Sequence, residues 1–374
     1  MTIPYNHLRV TVTLRNLAHN YRLLSSRGSD VLAVVKADAY GHGLVPVAET
    51  LAEAGCETFA VGTVAEGVAL RDAGVRGDVL SLLGPLDETE CRPLRGYRII
   101  PFIHAFDQFD MLEAVRPAEG KTLGIALKWD TGMRRLGFTE DEIPAVIERL
   151  RRLPHVSVSY VASHMATADD PDAFSYAGEQ AAAFSRICAA LREAGFSFKA
   201  ALANSAGILA HPDKHFDVQR AGIALYGINP FAGTEKESLG AGLTPAMEVT
   251  TRIVCVHELK KGHSISYGRT FTAPRDMRVA VAAAGYADAY SRGLSNQGRM
   301  CLRGVSVPIL GRVCMQLTAV DIGEIPDVAI GDEIHLLGGT GEGAVTPNDL
   351  AAWWGTIPYE VFCLLGLNRR EYEQ

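Results

Sequence analysis

The chain has 374 residues, of which 48% are hydrophobic and 21% are charged. This length suggests two or three domains, with two as the first expectation, and the composition suits a globular protein with a large core and little disorder. The formal net charge of -7 provides no basic surface for phosphate backbones or anionic lipids. We therefore expect a small-molecule ligand, and neither a nucleic acid nor a membrane as a partner.

Cysteine usage and the N-terminus both favour a cytoplasmic protein. The 7 cysteines are odd in number and scattered, without a C-x-x-C pair that would indicate zinc or a redox centre, so we expect no bound metal. Such usage fits a reducing compartment. The first residues, MTIPYNHLRV, lack the basic start and apolar stretch of a signal peptide, and no later run approaches membrane-spanning length. We expect a cytoplasmic location.

From about residue 31 to residue 223, short apolar runs rich in β-branched residues alternate with helical patterns, as in βα units that build a parallel sheet. The runs are VLAVV, TFAVG, VLSLL, RIIPFI, GIALKW, VSYVAS, KAALAN and DVQRAGIAL. Eight strands are the number of a closed barrel. We therefore predict an α/β fold that begins with a (β/α)8 barrel of the TIM type.

The first βα unit places a lysine at the rim of this predicted barrel. Residues 31–35 form a continuous apolar strand, as expected when both faces are covered, and Lys36 follows directly. After GHG, apolar residues recur at helical spacing up to Gly55, which suits a helix C-cap: Leu44, Val47, Ala48, Leu51 and Ala52. Barrel enzymes place their chemistry at the carboxyl ends of the strands, so Lys36 is a candidate catalytic residue.

The helical alternation stops near residue 240. Beyond the turn-rich GTEKESLGAGLTP stretch, the segments EVTTRIVCVHEL, VSVPILGRVC and DEIHLLGG are typical of antiparallel strands. We predict a barrel domain over 1–240 and a mostly β domain over 241–374, in which Thr346 caps a helix that begins at Pro347. A short alternating strand over about 9–14 could join the C-terminal domain, and the sequence leaves this open.

The string VVKADAYGHG around Lys36 resembles the pyridoxal-phosphate attachment site of alanine racemases. Further motifs follow in the family's order along nearly the whole chain: KWDTGMRRLG, SHMATADD, ANSAG, RAGIALYG, SYGRT, GYADAYSR, GRVCM and IPYEVFC. A set of this length and order is highly specific. The resemblance implies a pyridoxal 5'-phosphate-dependent isomerase, a racemase that interconverts L- and D-alanine and supplies D-alanine for bacterial peptidoglycan. It also implies a head-to-tail homodimer with shared active sites.

The resemblance assigns the two acid/base roles to Lys36 and Tyr267. Lys36 would carry the cofactor as a Schiff base and exchange the α-proton of D-alanine, which requires a lysine made nucleophilic by burial beside cations. Tyr267 would act on L-alanine from the opposite face, and a phenol with an ordinary pKa of about 10 needs help to do so. The resemblance implies a relay through His164 to Arg220. Otherwise Tyr267 would be a strand aromatic and His164 a core histidine.

Arg220, within QRAGIALYG, is the residue that the resemblance places at the pyridine nitrogen of the cofactor. An aspartate in that place would keep the ring protonated and make it a strong electron sink. An arginine does not give up its proton, so it leaves the nitrogen unprotonated. The carbanionic state is then short lived, which favours rapid reprotonation over transamination. The alternative interpretation of Arg220 is an ion pair at the barrel rim.

Phosphate binding requires backbone N–H groups and hydroxyls at a helix start or a glycine-containing turn. The ANSAG segment after predicted strand seven offers that geometry, although short polar loops are common. Besides Lys36, His164 and Arg220, the resemblance implies cofactor contacts from Tyr40, Leu83, Asn204, Ser205, Gly222, Ile223 and Tyr359.

Lys128 falls inside predicted strand five, where a lysine is costly unless it is paired or modified. The resemblance implies that it is N-carboxylated and thereby orients Arg135. Arg135 would then reach toward the phenolic oxygen of the cofactor and the substrate carboxylate. A neutral or surface-directed lysine is the alternative interpretation.

The resemblance also implies substrate contacts and a narrow entrance. Met315 would bring its backbone N–H to the substrate carboxylate, and Tyr286 would contact the substrate. The positions that match the entrance, which would otherwise be ordinary surface ion pairs and core aromatics, are Asp169, Tyr286, Arg292, Arg312 and Ile357. The chain departs from the usual pattern at Gln316, where many family members have aspartate. This loss changes local hydrogen bonding at the entrance or interface, and we do not expect it to change the reaction.

Three other functions are compatible with parts of this pattern. A racemase of the same fold could prefer another amino acid such as serine, which the pocket near Met315 and Tyr359 would decide. A non-catalytic barrel that carries pyridoxal phosphate is disfavoured by the second domain and its SYGRT motif. A decarboxylase of the same architecture typically has an acidic residue at the pyridine nitrogen, so Arg220 disfavours it.

Overall fold

A computed structural model describes residues 6–114, 122–323 and 325–374. They form two compact units. The barrel unit holds residues 16–39 and 44–244, and the β unit holds the residues up to Arg15, residues 40–43 and Pro245–Gln374. The chain begins with strand β1 (Arg9–Thr13) and helix α1 (Leu14–Ser25). Within these described ranges, every helix is too short or too polar to cross a membrane.

Eight parallel strands of the barrel unit close on themselves, which confirms the predicted barrel. The last strand pairs with the first, so that Arg220 lies opposite Leu32. Most residues of these strands are buried, as expected when a parallel sheet is covered on both faces. The strands are β2 Asp30–Val34, β3 Thr58–Val61, β4 Asp78–Ser81, β5 Ile99–Ile103, β6 Leu123–Lys128, β7 Val156–Ala162, β8 Lys199–Ala201 and β9 Val218–Ala221.

Helices separate the barrel strands. They begin where the sequence offers caps, as at Thr63, whose hydroxyl accepts the N–H of Glu66 while the Glu66 carboxylate accepts the N–H of Thr63. The helical segments are α2 Lys36–Tyr40, α3 Leu44–Glu53, α4 Val64–Asp72, α5 Glu88–Tyr97, α6 Phe106–Ala114, α7 Ile143–Arg151, α8 Phe174–Glu193 and α9 Ser205–Ala210.

Segment α2 is a left-handed turn. Ala37, Asp38 and Ala39 have φ angles of 54°, 54° and 53°, a conformation that costs L-residues about 1–2 kcal/mol each. The Asp38 carboxylate accepts the N–H of Leu44 at 2.7 Å, which helps to hold the turn. The chain therefore turns sharply after β2, with Lys36 at the carboxyl end of the first barrel strand.

The second unit is mostly β, as predicted. Strand β1 pairs antiparallel with β10 and parallel with β18, so the first strand of the chain belongs to this unit. Strand β10 pairs with β17 through its first half and with β13 through its second half. The strands are β10 Met247–Leu259, β11 Ser264–Ile265, β12 Phe271–Thr272, β13 Met277–Ala282, β14 Arg299–Leu302, β15 Val305–Pro308, β16 Thr318–Asp321, β17 Glu333–Leu337 and β18 Arg370–Glu373.

Two short helices complete the β unit, α10 (Pro347–Trp354) and α11 (Pro358–Leu365). Thr346 caps α10 and Pro347 is its first residue, as predicted. Residues 40–43 pack against α11, where Gly41 has φ +78° and a Cβ on it would lie 2.3 Å from the carbonyl oxygen of Phe362. Only glycine allows this approach.

Candidate active site

Four cationic side chains of the barrel unit converge on one half-buried histidine. The pKa of His164 is held well below its ordinary value, first by burial and then by the positive charges of Arg220, Lys128, Arg135 and Lys36. These residues come from the ends of different strands and the loops after them. The barrel therefore gathers a positively charged site at its carboxyl end, suited to an anionic ligand.

Arg220 is fixed at the centre of this site by three acceptors. Its Nη2 donates to the carbonyl oxygens of Ser163 and of Leu202, the latter at 3.2 Å, and lies 3.1 Å from Nδ1 of His164. The guanidinium is only 7% exposed. Because an arginine can only donate, Nδ1 of His164 must accept, which requires a neutral imidazole and agrees with its lowered pKa.

Lys128 lies at the end of β6 and is 7% exposed. Burial, followed by the positive charge of Arg220, lowers the pKa of Lys128 to about 7. Its ammonium group donates to the carbonyl oxygen of Trp129 at 2.8 Å. A large share of this lysine is therefore a neutral amine near pH 7, which is the nucleophilic form.

The segments after β8 and β9 meet around the hydroxyl of Ser205. Its Oγ accepts the N–H groups of Gly222 at 2.9 Å and of Ala224 at 3.2 Å, and it keeps its own proton to donate. Asn204 caps α9 by accepting the N–H of Gly207 at 3.0 Å. The Ser205 hydroxyl is therefore a donor of the kind that a phosphate requires, whereas the N–H groups of Gly222 and Ala224 are engaged by the Ser205 oxygen.

Three further predicted positions of the barrel unit lie near its strand ends. Ile223 begins a buried 3-10 helix directly after Gly222. Leu83 follows β4 and is 40% exposed. Asp169 is exposed in the loop after β7.

The β unit carries Tyr267 and Met315 on hydrogen-bonded neighbouring segments. Tyr267 is 70% exposed and Met315 is 58% exposed. The Ser266 hydroxyl donates to the carbonyl oxygen of Arg312 at 2.6 Å, and the N–H of Tyr286 donates to the carbonyl oxygen of Cys314 at 3.0 Å. The segments that carry Tyr267, Met315 and Tyr286 are therefore neighbours within this unit.

The remaining predicted positions of the β unit form two groups. The rings of Tyr40 and Tyr359 are neighbours, with centroids 5.9 Å apart, and Ile357 precedes α11 with 57% of its surface exposed. Arg292 is exposed at the start of a separate 3-10 helix. The structure thus brings Tyr40 and Tyr359 together, whereas Arg292 lies on an element of its own.

Sequence reasoning missed the groups that hold the predicted residues. Arg220 and Lys128 donate hydrogen bonds to backbone carbonyl oxygens, those of Ser163, Leu202 and Trp129. Any residue type can provide such an acceptor, so the sequence does not reveal it. Asp130 did leave a signal in the sequence, as an acidic residue two positions after the end of barrel strand β6. Its carboxylate accepts the N–H groups at positions 132 and 134, at 2.7 Å and 3.1 Å.

Comparison with known proteins agrees with this architecture over the full length. Residues 12–230 match the family described as alanine racemase, N-terminal domain, and residues 246–372 match alanine racemase, C-terminal domain. An alanine racemase of Nitratidesulfovibrio vulgaris (strain DSM 19637 / Miyazaki F) is 52% identical and covers 100% of both chains.

Solved structures give the same result. Alanine racemase from E. faecalis superposes with a TM-score of 0.90 at 29% identity, covering 100% of each chain. Alanine racemase from Bartonella henselae, with covalently bound pyridoxal phosphate, has a TM-score of 0.86 at 29% identity and covers 99% of this chain and 100% of that chain.

The parallel barrel with a lysine after its first strand, together with the matches to both racemase domain families, places the chain in the class of pyridoxal-phosphate-dependent amino-acid racemases. Within that class, the chain belongs to the alanine racemase family. The predictions of fold, enzyme class and cofactor are thereby confirmed.

Proposed function

We propose that this protein interconverts L- and D-alanine by a two-base mechanism in the cytoplasm, and so supplies D-alanine for peptidoglycan. The observation that carries the proposal is the convergence of four cations on the half-buried, neutral His164: Lys36, Lys128, Arg135 and Arg220. Such a site suits an anionic cofactor and a substrate carboxylate. The 52% identity to an alanine racemase over the full length supports alanine as the substrate.

The residues present fit pyridoxal 5'-phosphate. Lys36 would be its covalent attachment point. Ser205 would donate its hydroxyl proton to the phosphate, and Gly222 and Ile223 would lie beside it, with the N–H of Gly222 fixing the Ser205 oxygen. Arg220 would donate to the pyridine nitrogen. Because His164 is neutral, it accepts from Arg220 and does not compete with it as a donor. When bound, the cofactor supplies an electron sink for the bond between Cα and its hydrogen. Asn204, Leu83, Tyr40 and Tyr359 would complete its surroundings.

Lys36 and Tyr267 would move the α-proton on opposite faces of the substrate. The Lys36 amine takes the proton from D-alanine or returns it, and the Tyr267 phenol does the same for L-alanine. Because Arg220 cannot release its own proton, the Cα carbanion gains little stabilisation from the ring nitrogen. Quick reprotonation at Cα then favours racemisation over side reactions.

Arg135 would bind the substrate carboxylate, with the Met315 N–H as a second donor. N-carboxylation of Lys128 would provide the anion that orients the Arg135 guanidinium, and the pKa of about 7 makes the Lys128 amine reactive enough for this modification. Tyr286 would contact the substrate, and Asp169, Arg292, Arg312 and Ile357 would line the entrance.

We also propose that the protein works as a homodimer in which Tyr267 and Met315 of the partner subunit complete each site. Their 70% and 58% exposure supports this, since large exposed side chains that lie together suggest a contact surface. Each two-fold dimer would then contain two shared sites.

The direct test measures racemisation by circular dichroism, starting from L-alanine and separately from D-alanine, with the cofactor-loaded protein. We expect both enantiomers to be converted and Lys36→Ala to be inactive. L-serine provides the control for substrate choice. A folded, cofactor-loaded protein that leaves both alanine enantiomers unchanged would refute the proposal.

Mixing two inactive variants tests the shared sites. Lys36→Ala and Tyr267→Phe chains, refolded together in equal amounts, would form mixed dimers in which one site carries both lesions and the other carries none. Random reassortment makes half of the dimers mixed, so roughly a quarter of the wild-type activity should return. Activity no higher than the mean of the two parents would place Tyr267 in the same chain as its lysine.

A further inference from the structure

The loop over residues 130–137 of the barrel unit carries two adjacent arginines. Arg134 and Arg135 are both exposed, and neither forms an ion pair with a carboxylate in the described part of the chain. Two guanidinium groups that line one cavity repel each other, and the single Asp130 carboxylate in the same lining offsets only part of this repulsion. An anion bound between them would relieve this repulsion.

The loop is held rigidly at its base and at its tip. The N–H of Asp130 donates to the carbonyl oxygen of Phe138 at 2.8 Å. The N–H of Phe138 donates to the carbonyl oxygen of Lys128 at 3.0 Å. The Asp130 carboxylate accepts the N–H groups of Gly132 and Arg134. The two arginines are therefore presented by an ordered loop anchored at the end of barrel strand β6.

Arg134 adopts a backbone conformation that its residue type disfavours. Its φ is +54°, in the left-handed region where glycine and asparagine fit at lower cost. Strain of this kind tends to persist at functional sites, where the side chain is needed in that place. The strained residue is the one that adds a second guanidinium beside Arg135.

An open cavity of about 380 Å³ lies against this loop. It is lined by His104, Asp130, Arg134, Arg135, Leu136 and Gly137. Nε2 of His104 lies 3.1 Å from the carbonyl oxygen of Leu83. Because a carbonyl oxygen can only accept, this nitrogen is the donor. The Asp130 carboxylate is one negative charge against two guanidinium groups, so the cavity keeps a positive balance.

We propose that this cavity is an anion subsite that receives the second carboxylate of a small dicarboxylate whose first carboxylate is held by Arg135. Arg134 supplies the charge and the hydrogen-bond donors of the subsite. The ligand class is a four-carbon dicarboxylate such as succinate, or aspartate among the amino acids. The inference rests on the proposed function only through the role of Arg135 as the carboxylate-binding residue.

A comparison of a monocarboxylate with a dicarboxylate of the same length distinguishes this subsite from carboxylate binding by Arg135 alone. Butyrate and succinate have four carbons each and differ in that a methyl group of butyrate is a carboxylate in succinate. If Arg135 acts alone, succinate gains nothing from its second charge. If Arg134 receives that charge, succinate binds more tightly, because a charge-assisted hydrogen bond contributes more than a neutral one.

The test measures binding of succinate and of butyrate to the cofactor-loaded protein by calorimetry, together with their inhibition constants against L-alanine. Arg134→Asn removes the charge and suits the left-handed backbone, so it should fold at least as well as the wild type. We expect it to weaken succinate binding about fivefold, the upper end of the range for an ion pair at an exposed site. Butyrate binding should change less than about twofold.

Two matched variants control for charge alone. Arg134→Lys keeps the charge and should retain most of the preference for succinate. Arg151→Asn removes an exposed arginine at the end of α7 and should leave both constants unchanged. Equal weakening of both acids by Arg134→Asn, or no effect on succinate, would overturn the subsite. Because calorimetry does not require turnover, this result is separate from the test of racemisation.

Discussion

The lowered pKa of Lys128 predicts that this side chain reacts with carbon dioxide under mild conditions. An ordinary lysine with a pKa of about 10.4 is a neutral amine in roughly one molecule in 2,500 at pH 7. With its pKa lowered to about 7 by burial and by Arg220, Lys128 is neutral in about half of the molecules. The reactive form is therefore enriched about 1,000-fold over a surface lysine.

Carbon-13 spectroscopy can measure this modification. The protein is equilibrated with labelled carbon dioxide at constant dissolved concentration between pH 5.5 and pH 9, and the carbamate carbonyl signal is recorded. Only the neutral amine reacts, and each carbamate formed releases one proton. The ratio of carbamate to unmodified protein, multiplied by the proton concentration, should therefore rise with pH and reach half of its maximum near pH 7. Lys128→Met should remove the signal and leave the protein folded.

The position of the midpoint is the decisive result. A carbamate signal that survives in Lys128→Met, or one that appears only near the pKa of an exposed lysine, would contradict the reasoning. Arg220→Met offers an independent check, since removing its positive charge should raise the pKa of Lys128 and move the midpoint to higher pH.

Three further predictions concern stability and proton transfer. Arg220→Met should lower the free energy of unfolding by about 3 kcal/mol or more, because two buried carbonyl acceptors and a histidine nitrogen lose their donor. Chemical denaturation measures this free energy. A loss under about 1 kcal/mol would contradict the buried hydrogen bonds of Arg220. Tyr267→Phe should slow proton abstraction from α-deuterated L-alanine far more than from the D-isomer in single half-reactions, and equal losses would indicate one shared base. The His335 and Glu248 side chains are 2.6 Å apart, and the pair raises the pKa of His335 and lowers that of Glu248. Its stabilisation should be lost as pH rises through the raised pKa of His335 and as pH falls through the lowered pKa of Glu248. Melting temperatures of the wild type and His335→Gln across pH should converge at both extremes, and a constant difference would exclude this origin.

The architecture and the first catalytic candidate were readable from the sequence because both depend on local pattern. Eight β-branched runs alternating with helical spacing predict a barrel, since burial on both faces requires continuous apolar strands. A lysine directly after the first run must then lie at the rim. The antiparallel strands after residue 240 were equally visible as β-branched runs separated by turn residues.

The tertiary structure alone decided what each predicted side chain faces. Arg220 and His164 are 56 positions apart in the chain, and their 3.1 Å contact exists because β7 and β9 end at the same rim of the closed barrel. The lowered pKa of Lys128 depends on burial, which the apolar run around it predicts, and on the charge of Arg220, which that run does not encode. Pairing of β1 with both β10 and β18 joins the two ends of the chain in one sheet. Side-chain environments of this kind arise from contacts between distant segments, whereas hydrophobic periodicity records only the faces of each segment.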